Sequence, residues 1–490
     1  MTKLFGTDGV RGTAGSELSC ETAMRLGKAV AGVACANNED KKAKILIGKD
    51  TRASSDVLEA ALIAGICSAG ADVYILGAIP TQGVAMLTEL YNADAGIMIT
   101  ASHSSAEYNG IKIFGRSGFR ITEAEERELE RLVFDDDWQK ISVGPDKLGR
   151  ICYEEKAEWD YIRKVVRSVS CDLRGLKVAI DCGNGAAAKY AKRIFEGMGA
   201  SCVVLGCDPD GYNINIGCGP SFLEPLQEAV VKRHCDIGLS FDGDGGKCIA
   251  VDENGGVMDG DKLLAIFAKF LKVQGKLNSN TVVSTVMSNY GLTEFGEREG
   301  INITATAVGS GKVLERMLRF GYNLGGEQNG HIIFLDYEKI GDGEITGVRL
   351  CEVLKKSRRK ASELSAIVET YPQIRKDVPM PADKRGVWAE NAGFREMVSE
   401  YKKKLGKEGR IIVRESGTES VVRIMIEGRK TGLITEYANN LAKKLDEVMH
   451  YKSEKQLETE KMLREIKQER DEGLSLLPEL DASKINGAGL

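Results

Sequence analysis

The chain has 490 residues, of which 42% are hydrophobic and 28% are charged, and its formal net charge is −5. This is the composition of a globular protein with several cores, and no run of Lys and Arg indicates binding to nucleic acid. No apolar stretch reaches the length of about 18 residues that predicts a membrane-spanning helix. The N-terminus lacks the pattern of a signal peptide, and the twelve cysteines form no CxxC pair, which favours a reduced, cytoplasmic protein.

Short apolar runs alternate with helical patterns and glycine turns along most of the chain, which predicts an α/β fold. The predicted strands are residues 43–47, 73–76, 96–100, 176–180, 236–241, 247–251, 281–285, 303–305, 410–413 and 421–426. The predicted helices are residues 58–66, 186–198, 262–271 and 312–320. The predicted domains are residues 1–150, 151–257, 258–369 and 370–449, followed by a charged tail at 450–490.

A serine follows the third predicted strand, in Thr100-Ala101-Ser102-His103. Ligands of open α/β sheets bind outside the carboxyl ends of the strands, so Ser102 is a candidate nucleophile or phosphate carrier. An ordinary loop serine is the alternative. The GxSxG pattern of hydrolases does not fit this segment.

Two carboxylates follow the strand at 236–241, in Asp242-Gly243-Asp244-Gly245-Gly246-Lys247. Hard oxygen ligands at this spacing suit Mg²⁺, which takes one or two carboxylates together with phosphate and water. A solvated turn is the alternative. The EF-hand pattern does not fit, because a glycine stands at loop position five and no glutamate stands at position twelve.

Two further loops carry polar groups suited to a sugar phosphate. The first loop precedes an apolar run and offers partners for sugar hydroxyls; it is Gly325-Gly326-Glu327-Gln328-Asn329-Gly330-His331. A tight turn with incidental polar residues is the alternative interpretation. Arg414-Glu415-Ser416-Gly417-Thr418, with Arg423 beyond, has the hydroxyls and arginines of a phosphate cradle. The cradle has no Walker lysine, which argues against a nucleoside triphosphate. Together the four loops indicate phosphoryl transfer.

Several motifs together resemble the α-D-phosphohexomutase superfamily over about residues 3 to 445. The matching motifs are Phe5-Gly6-Thr7-Asp8-Gly9-Val10-Arg11-Gly12, residues 100–103 with Tyr108-Asn109-Gly110-Ile111-Lys112, Gly326-Glu327-Gln328 with Gly330-His331, and Arg414 with Ser416-Gly417-Thr418 and Arg423. The resemblance implies three similar mixed α/β domains plus a smaller C-terminal α+β domain, whose loops meet in one cleft.

The resemblance also implies an activity. Phosphorylated Ser102 would give its phosphate to glucosamine 6-phosphate, and the bisphosphate would turn over and return the other phosphate, leaving glucosamine 1-phosphate. A hexose bisphosphate would prime the serine, and the product would feed amino-sugar and cell-wall precursor synthesis. Glutamine after glutamate in the sugar loop favours glucosamine over glucose or mannose.

Roles follow from the resemblance residue by residue. The implied ligands of Mg²⁺ are Ser102, Asp242 and Asp244. The implied catalytic residues are Ser102, His103, Lys112, His331 and Arg11. The implied substrate-binding residues are Glu327, Asn329, Arg414, Ser416, Gly417, Thr418 and Arg423.

The chain departs from the family pattern in its working loops. Gly246 and Lys247 stand where the metal loop has its third aspartate and an arginine, so we expect Mg²⁺ binding to be weaker than usual or lost. Ser104-Ser105 replaces Asn-Pro, Ser310-Gly311-Lys312 replaces Asp-Arg-Tyr, and Asn329 replaces a serine. Three interpretations stay open: an active mutase, a catalytically weak regulator that binds a phosphosugar or a protein, and a mutase for another hexose phosphate. A homodimer and a protein partner for the tail are also open.

Overall fold

A computed structural model describes residues 4–6, 8–36, 41–135, 137–381, 384–416 and 420–450. The chain divides into two compact units, residues 1–370 and 371–490. Gly417, Thr418 and residues 451–490, which make up almost all of the predicted tail, lie outside the described residues. Within the described ranges, no helix combines the length and the apolar character needed to cross a membrane.

The first sheet of the larger unit has seven strands in the order β1-β2-β6-β5-β3-β4-β7. Its strands are β1 (Phe5–Gly6), β2 (Gly9–Thr13), β3 (Lys44–Lys49), β4 (Asp72–Ala78), β5 (Ala95–Ile99), β6 (Tyr108–Gly115) and β7 (Ile151–Tyr153). Its helices are α1 (Cys20–Ala36), α2 (Ala53–Ser68), α3 (Thr81–Leu90), α4 (Glu123–Phe134) and the 3₁₀ turns Asp137–Lys140 and Pro145–Lys147. Helices α1 and α2 lie so close that a Cβ on Gly65 would stand 2.1 Å from the Met24 carbonyl oxygen, which only glycine avoids.

The second sheet has the order β12-β11-β10-β8-β9. Its strands are β8 (Lys177–Asp181), β9 (Ser201–Leu205), β10 (Ile237–Phe241), β11 (Cys248–Asp252) and β12 (Val257–Met258). Its helices are α5 (Ala157–Arg167), the 3₁₀ turn Ala186–Lys189, α6 (Ala191–Gly197) and α7 (Glu224–Arg233). The helix predicted after the glycine turn and up to about residue 198 is confirmed as α6, although a 3₁₀ turn takes the place of its first residues.

The third sheet has the order β14-β13-β15-β16. Its strands are β13 (Thr281–Thr285), β14 (Asn302–Thr306), β15 (Leu324–Gly326) and β16 (Ile332–Phe334). Its helices are α8 (Gly260–Val273), the 3₁₀ turn Asn278–Asn280, α9 (Tyr290–Glu299), α10 (Ser310–Phe320), α11 (Gly343–Ser357) and α12 (Ala361–Ser365). One buried core runs from Leu46 through Phe241 to Val368, so it contains residues of all three sheets.

The smaller unit is a three-stranded antiparallel sheet in the order β17-β19-β18, with helices packed on it. Its strands are β17 (Gln373–Pro379), β18 (Gly409–Glu415) and β19 (Val421–Gly428). Its helices are α13 (Val387–Glu390), α14 (Ala392–Leu405) and α15 (Thr431–His450). The predicted α/β class, with three larger α/β parts and a smaller α+β part, is confirmed.

Candidate active site

The predicted phosphate carrier lies directly beyond the end of a buried strand. Every residue of β5 is buried, and Ser102 follows with a φ of 52°, a left-handed conformation that is unusual for serine. The Ser102 amide donates to Thr100 Oγ1 at 2.9 Å. Its own hydroxyl Oγ donates to Asp242 Oδ2 at 2.7 Å. A strained backbone that points a hydroxyl at a carboxylate is typical of functional sites.

A buried arginine holds the loop that carries Ser102. Arg52 Nη2 donates to the carbonyl oxygens of Ser102 and Ser104 at 3.0 and 2.9 Å, and Nη1 donates to that of Ser105 at 2.5 Å. Its Nε donates to Asp50 Oδ2 at 2.9 Å, and both side chains are fully buried. The loop that lacks the family's Asn-Pro is therefore anchored through its carbonyl groups.

A second anchor joins the loop that carries Ser102 (the serine loop) to the loop of residues 242–247 (the metal loop). Asn215 Nδ2 donates to the carbonyl oxygens of Ser102 and Ser104 at 3.0 Å each. Asn215 Oδ1 accepts from the Gly243 amide at 3.0 Å. One amide side chain therefore fixes both loops, which come from different sheets.

The two predicted metal-loop carboxylates are buried and engaged differently. Asp242 Oδ1 accepts from the Lys247 amide at 2.9 Å, and Asp242 Oδ2 faces both Ser102 Oγ and Lys247 Nζ, the latter at 3.2 Å. Asp244 Oδ2 accepts from Thr81 Oγ1 at 2.6 Å and from Lys112 Nζ at 2.9 Å. Although burial opposes ionisation, Lys112 and the Thr81 hydrogen bond hold the pKa of Asp244 well below its ordinary value.

One feature of this loop favours a divalent cation and two oppose it. Asp244 Oδ1 is buried and has no hydrogen-bond partner. It faces the space that a side chain on Gly246 would fill, since a Cβ there would lie 3.4 Å away. Against a cation, the Lys247 ammonium already contacts Asp242 Oδ2, and Asp244 Oδ2 already accepts from Lys112 and Thr81. With Lys247 on Asp242 and Lys112 on Asp244, the donors present do not fit the two-carboxylate Mg²⁺ site that the family resemblance implies.

The predicted catalytic histidines lie on either side of this loop. His103 Nδ1 accepts from Lys247 Nζ at 2.9 Å, and this ammonium together with burial lowers the pKa of His103. His331 Nε2 accepts from the Gly341 amide at 3.3 Å, and burial lowers the pKa of His331. A Cβ on Gly246 would lie 3.8 Å from His331 Nδ1, so this ring borders the metal loop. Both imidazoles are therefore kept neutral, the form that can accept a proton.

Three cations of the larger unit gather around Asp8: the predicted Lys112 and Arg11, and Arg120, which was not predicted. Lys112 Nζ lies 3.2 Å from Asp8 Oδ2, Arg11 Nη2 lies 3.3 Å from the same oxygen, and Arg120 Nη1 lies 2.9 Å from Asp8 Oδ1. Lys112 is almost fully buried, and despite that burial its carboxylate partners Asp244 and Asp8 raise its pKa. Three cations next to the serine loop suit a dianionic phosphoryl group.

The sugar loop links β15 to β16 on the third sheet. Glu327 is buried, and its Oε1 accepts from the Gly309 amide at 3.0 Å. Asn329 is exposed, with its Oδ1 accepting from the His331 amide at 3.1 Å. Gln328 Nε2 points to Asp259 Oδ2 at 3.4 Å. The loop therefore places a carboxylate and an amide between glycines, and their contact with sugar hydroxyls stays a prediction.

The predicted phosphate cradle lies in the smaller unit. Arg414 and Arg423 are directly paired across strands β18 and β19, where like charges repel unless an anion is present. Arg423 Nε donates to Asp377 Oδ1 at 2.9 Å, whereas Arg414 Nε is buried without a hydrogen-bond partner. Burial and the Arg423 and Arg375 charges lower the pKa of Arg414. Ser416 is buried at the end of β18, and Gly417 and Thr418 lie outside the described residues.

Sequence reasoning missed the residues that support these loops, because their partners are far away in sequence. Besides Arg52, Asn215 and Asp8, they include Thr81 and Gln82. Gln82 Nε2 donates to the Gly245 carbonyl at 2.8 Å. The polar string at residues 48–52 after the first predicted strand was the one signal that could have indicated Arg52.

A buried acidic pair lies behind the metal loop. Tyr161 Oη lies 3.1 Å from both Asp342 Oδ2 and Glu344 Oε2 and can donate its one proton to either. Gly343 N donates to the Gly245 carbonyl at 2.8 Å. Burial raises the pKa of Asp342 to about 6, and burial with the Asp342 charge raises the pKa of Glu344 well above its ordinary value. Glu344 Oε1 has no hydrogen-bond partner.

The raised carboxyl pKa values make stability depend on pH. A carboxyl group that binds its proton more tightly in the folded state stabilises the fold below its unfolded pKa, and this stability is lost as pH rises through the folded pKa. We expect Glu344→Gln to remove its part of that loss, because the amide cannot ionise. The melting temperature of the variant should exceed that of the wild type at about pH 8 and match it at about pH 4, below the unfolded pKa of the glutamate. The exposed Glu363→Gln is the matched control, and an equal shift at both pH values would contradict the assignment.

Both units match one family of known proteins over most of their described residues. Four domain descriptions match it in order: phosphoglucomutase/phosphomannomutase alpha/beta/alpha domain I at residues 2–140, domain II at 159–256, domain III at 259–371 and the C-terminal domain at 375–444. The chain therefore belongs to the phosphoglucomutase/phosphomannomutase family, and it is a phosphosugar mutase, an enzyme of the isomerase class.

Relatives and solved structures agree with this family. The chain is 44% identical to the phosphoglucosamine mutase of Clostridium acetobutylicum, covering 91% of this chain and 99% of that protein. It is 46% identical to that of Acetivibrio thermocellus, with the same coverage. A phosphoglucomutase/phosphomannomutase family protein from Burkholderia thailandensis has the same fold, with a TM-score of 0.75 at 22% identity over 92% of this chain and 98% of that one. These relatives do not favour the alternative of a catalytically weak regulator that binds a phosphosugar or a protein.

Proposed function

We propose that this chain interconverts glucosamine 6-phosphate and glucosamine 1-phosphate, with Ser102 as the phosphate carrier. The observation that carries the proposal is the hydrogen bond from Ser102 Oγ to Asp242 Oδ2 at 2.7 Å, in a loop that Arg52 and Asn215 hold from two sides. The choice of glucosamine is supported by relatives of 44–46% identity that are named phosphoglucosamine mutases.

In the first half-reaction, the 1-hydroxyl of glucosamine 6-phosphate attacks the phosphorus of phosphorylated Ser102. The new P–O bond forms as the bond to Ser102 Oγ breaks, and one proton passes from the sugar hydroxyl to Oγ. The products are the 1,6-bisphosphate and the free serine. The sugar then turns, and Ser102 Oγ takes the 6-phosphoryl group while its proton returns to the sugar oxygen.

Each half-reaction uses groups of the chain to move protons and stabilise charge. Asp242 Oδ2 accepts the hydrogen bond of Ser102 Oγ, so it is placed to take the serine proton when Oγ attacks. Neutral His331 or His103 is suited to take the sugar proton, and Lys112 and Arg11 stabilise the phosphoryl charge. Glu327 and Asn329 bind sugar hydroxyls, and Arg414, Ser416 and Arg423, with Gly417 and Thr418, bind a phosphate group.

The wider role follows from the product. A hexose 1,6-bisphosphate primes Ser102, and glucosamine 1-phosphate enters UDP-N-acetylglucosamine and cell-wall precursor synthesis in the cytoplasm. Among solved structures of the same fold, an Aspergillus fumigatus N-acetylphosphoglucosamine mutase was obtained with GlcNAc-6P and magnesium, and its S69A variant with glucose 1,6-bisphosphate.

The test is a direct assay of interconversion by the purified chain, primed with glucose 1,6-bisphosphate. Glucosamine 6-phosphate, glucose 6-phosphate and mannose 6-phosphate are compared by kcat/KM, with the Clostridium acetobutylicum relative as the positive control. We expect the highest kcat/KM for glucosamine 6-phosphate. Preference for another hexose phosphate would overturn the substrate, and no turnover while the relative works would overturn the activity.

A further inference from the structure

The metal loop contains a cation that belongs to the chain itself. The side chain of Lys247 is only 13% exposed. Its Nζ lies 3.2 Å from Asp242 Oδ2 and 2.9 Å from His103 Nδ1. Ser102 Oγ contacts the same Asp242 oxygen at 2.7 Å, so the ammonium and the reacting hydroxyl share one carboxylate oxygen.

The backbone of the loop fixes Lys247 in this position. The Lys247 amide donates to Asp242 Oδ1, so the residue is tied to the same carboxylate through its main chain and its side chain. His103 Nδ1 accepts from the ammonium, which places the ring proton of neutral His103 on Nε2. Two acceptors therefore orient a charge whose position does not depend on a bound ion.

The neighbouring residue, Gly246, supplies no third carboxylate at the position where the family pattern has one. Gly246 has no side chain between Asp244 Oδ1 and His331 Nδ1, which a Cβ would meet at 3.4 and 3.8 Å. The Asp244 Oδ2 oxygen is already engaged by Lys112 and Thr81. The loop thus has one carboxylate fewer than the family pattern. It also directs the Lys247 ammonium at Asp242 Oδ2, an oxygen that the resemblance assigns to the metal.

We propose that the Lys247 ammonium is the permanent counter-ion of phosphorylated Ser102 and that phosphoryl transfer in this chain needs no divalent cation. This inference rests on the proposed mutase function. In each half-reaction one P–O bond breaks at Ser102 Oγ as one forms at the sugar oxygen, or the reverse, while the Lys247 ammonium stabilises the charge of the transferred group. A fixed cation aimed at developing charge performs this role without a metal.

The test measures rate and ion binding on the same full-length protein. Initial rates of the primed mutase reaction are taken in excess EDTA and in excess Mg²⁺, and Mn²⁺ binding is followed by electron paramagnetic resonance. We expect equal rates in both conditions and no saturable Mn²⁺ binding.

Lys247→Met should lower kcat by about 10²–10³-fold in EDTA. Lys247→Arg, which keeps the charge, should retain more activity, and exposed Lys192→Met is the matched control.

A double variant supplies the opposite case. Gly246→Asp with Lys247→Arg restores the family's loop, and we expect it to bind Mn²⁺ saturably, because a Cβ at position 246 meets its neighbours at ordinary contact distance. Loss of wild-type activity in EDTA, or saturable Mn²⁺ binding by the wild type, would overturn the inference. Failure of the double variant to bind Mn²⁺ would contradict the inference, because it would mean that residues 246 and 247 do not determine whether the loop binds a divalent cation. If the wild type shows no turnover in either condition, the mutase proposal fails, and the Mn²⁺ measurements alone decide whether Lys247 excludes the ion.

Discussion

Ser102→Ala is expected to lower mutase turnover by about 10⁴-fold or more, because the variant has no oxygen to carry the phosphoryl group between the two half-reactions. The loss should appear in kcat and persist at saturating sugar phosphate and primer. Incubation with glucose 1,6-bisphosphate should add one phosphoryl group to the wild type, seen by intact-mass spectrometry, and none to the variant. Removing one hydroxyl creates little empty space, so the melting temperature should change only slightly.

Ser104→Ala is the matched control for this experiment. Ser104 lies in the same loop, but its contacts with Arg52 and Asn215 are made by its carbonyl oxygen, which alanine keeps. We expect the control to retain both turnover and phosphorylation. If Ser102→Ala kept substantial turnover, or if the phosphoryl group were found on another residue, Ser102 would not be the carrier.

The fold was largely predictable because its strands are short, apolar and followed by glycine turns. The predicted strand at residues 281–285 coincides with β13, and the run at 96–100 is β5 within one residue. The direction of pairing was not predictable. Strands β10 and β11 pair antiparallel next to the parallel pair β10 and β8, and a buried apolar run has the same pattern in either direction.

The location of the site was predictable for a related reason. The loops at the ends of β5 and β10 carried Ser102 and Asp242, and the structure brings the two side chains to 2.7 Å. Their supporting contacts were not predictable, because Arg52 and Asn215 act across 53 and 113 residues of sequence. The position of the Lys247 side chain could not be predicted from the sequence either. A lysine that follows a glycine turn can point to solvent or to a carboxylate, and the sequence pattern is the same in both cases.

Replacement of Arg52 by methionine is expected to produce the largest loss of stability among single changes around the site. The guanidinium is fully buried and donates to Asp50 and to three loop carbonyls. Without it, the buried Asp50 carboxylate keeps only its weaker neutral partners, such as Thr100 Oγ1 at 2.7 Å. Breaking a buried ion pair by removing one partner costs about 3–5 kcal/mol, so the melting temperature should fall by several degrees.

The same change should also slow the reaction, because the left-handed conformation of Ser102 persists only while its surroundings hold it. We expect the displaced hydroxyl to lower kcat by about 10²-fold, with kcat measured at a temperature below the melting temperature of the variant. Arg174→Met is the matched control. Arg174 repeats the local geometry with Asp172, including an Nε donation to Oδ2 at 2.9 Å, but its side chain is 80% exposed. We expect the control to change neither property appreciably, since exposed ion pairs contribute little. Equal effects of the two changes would mean that burial of Arg52, and its bonds to the serine loop, do not set the geometry of Ser102.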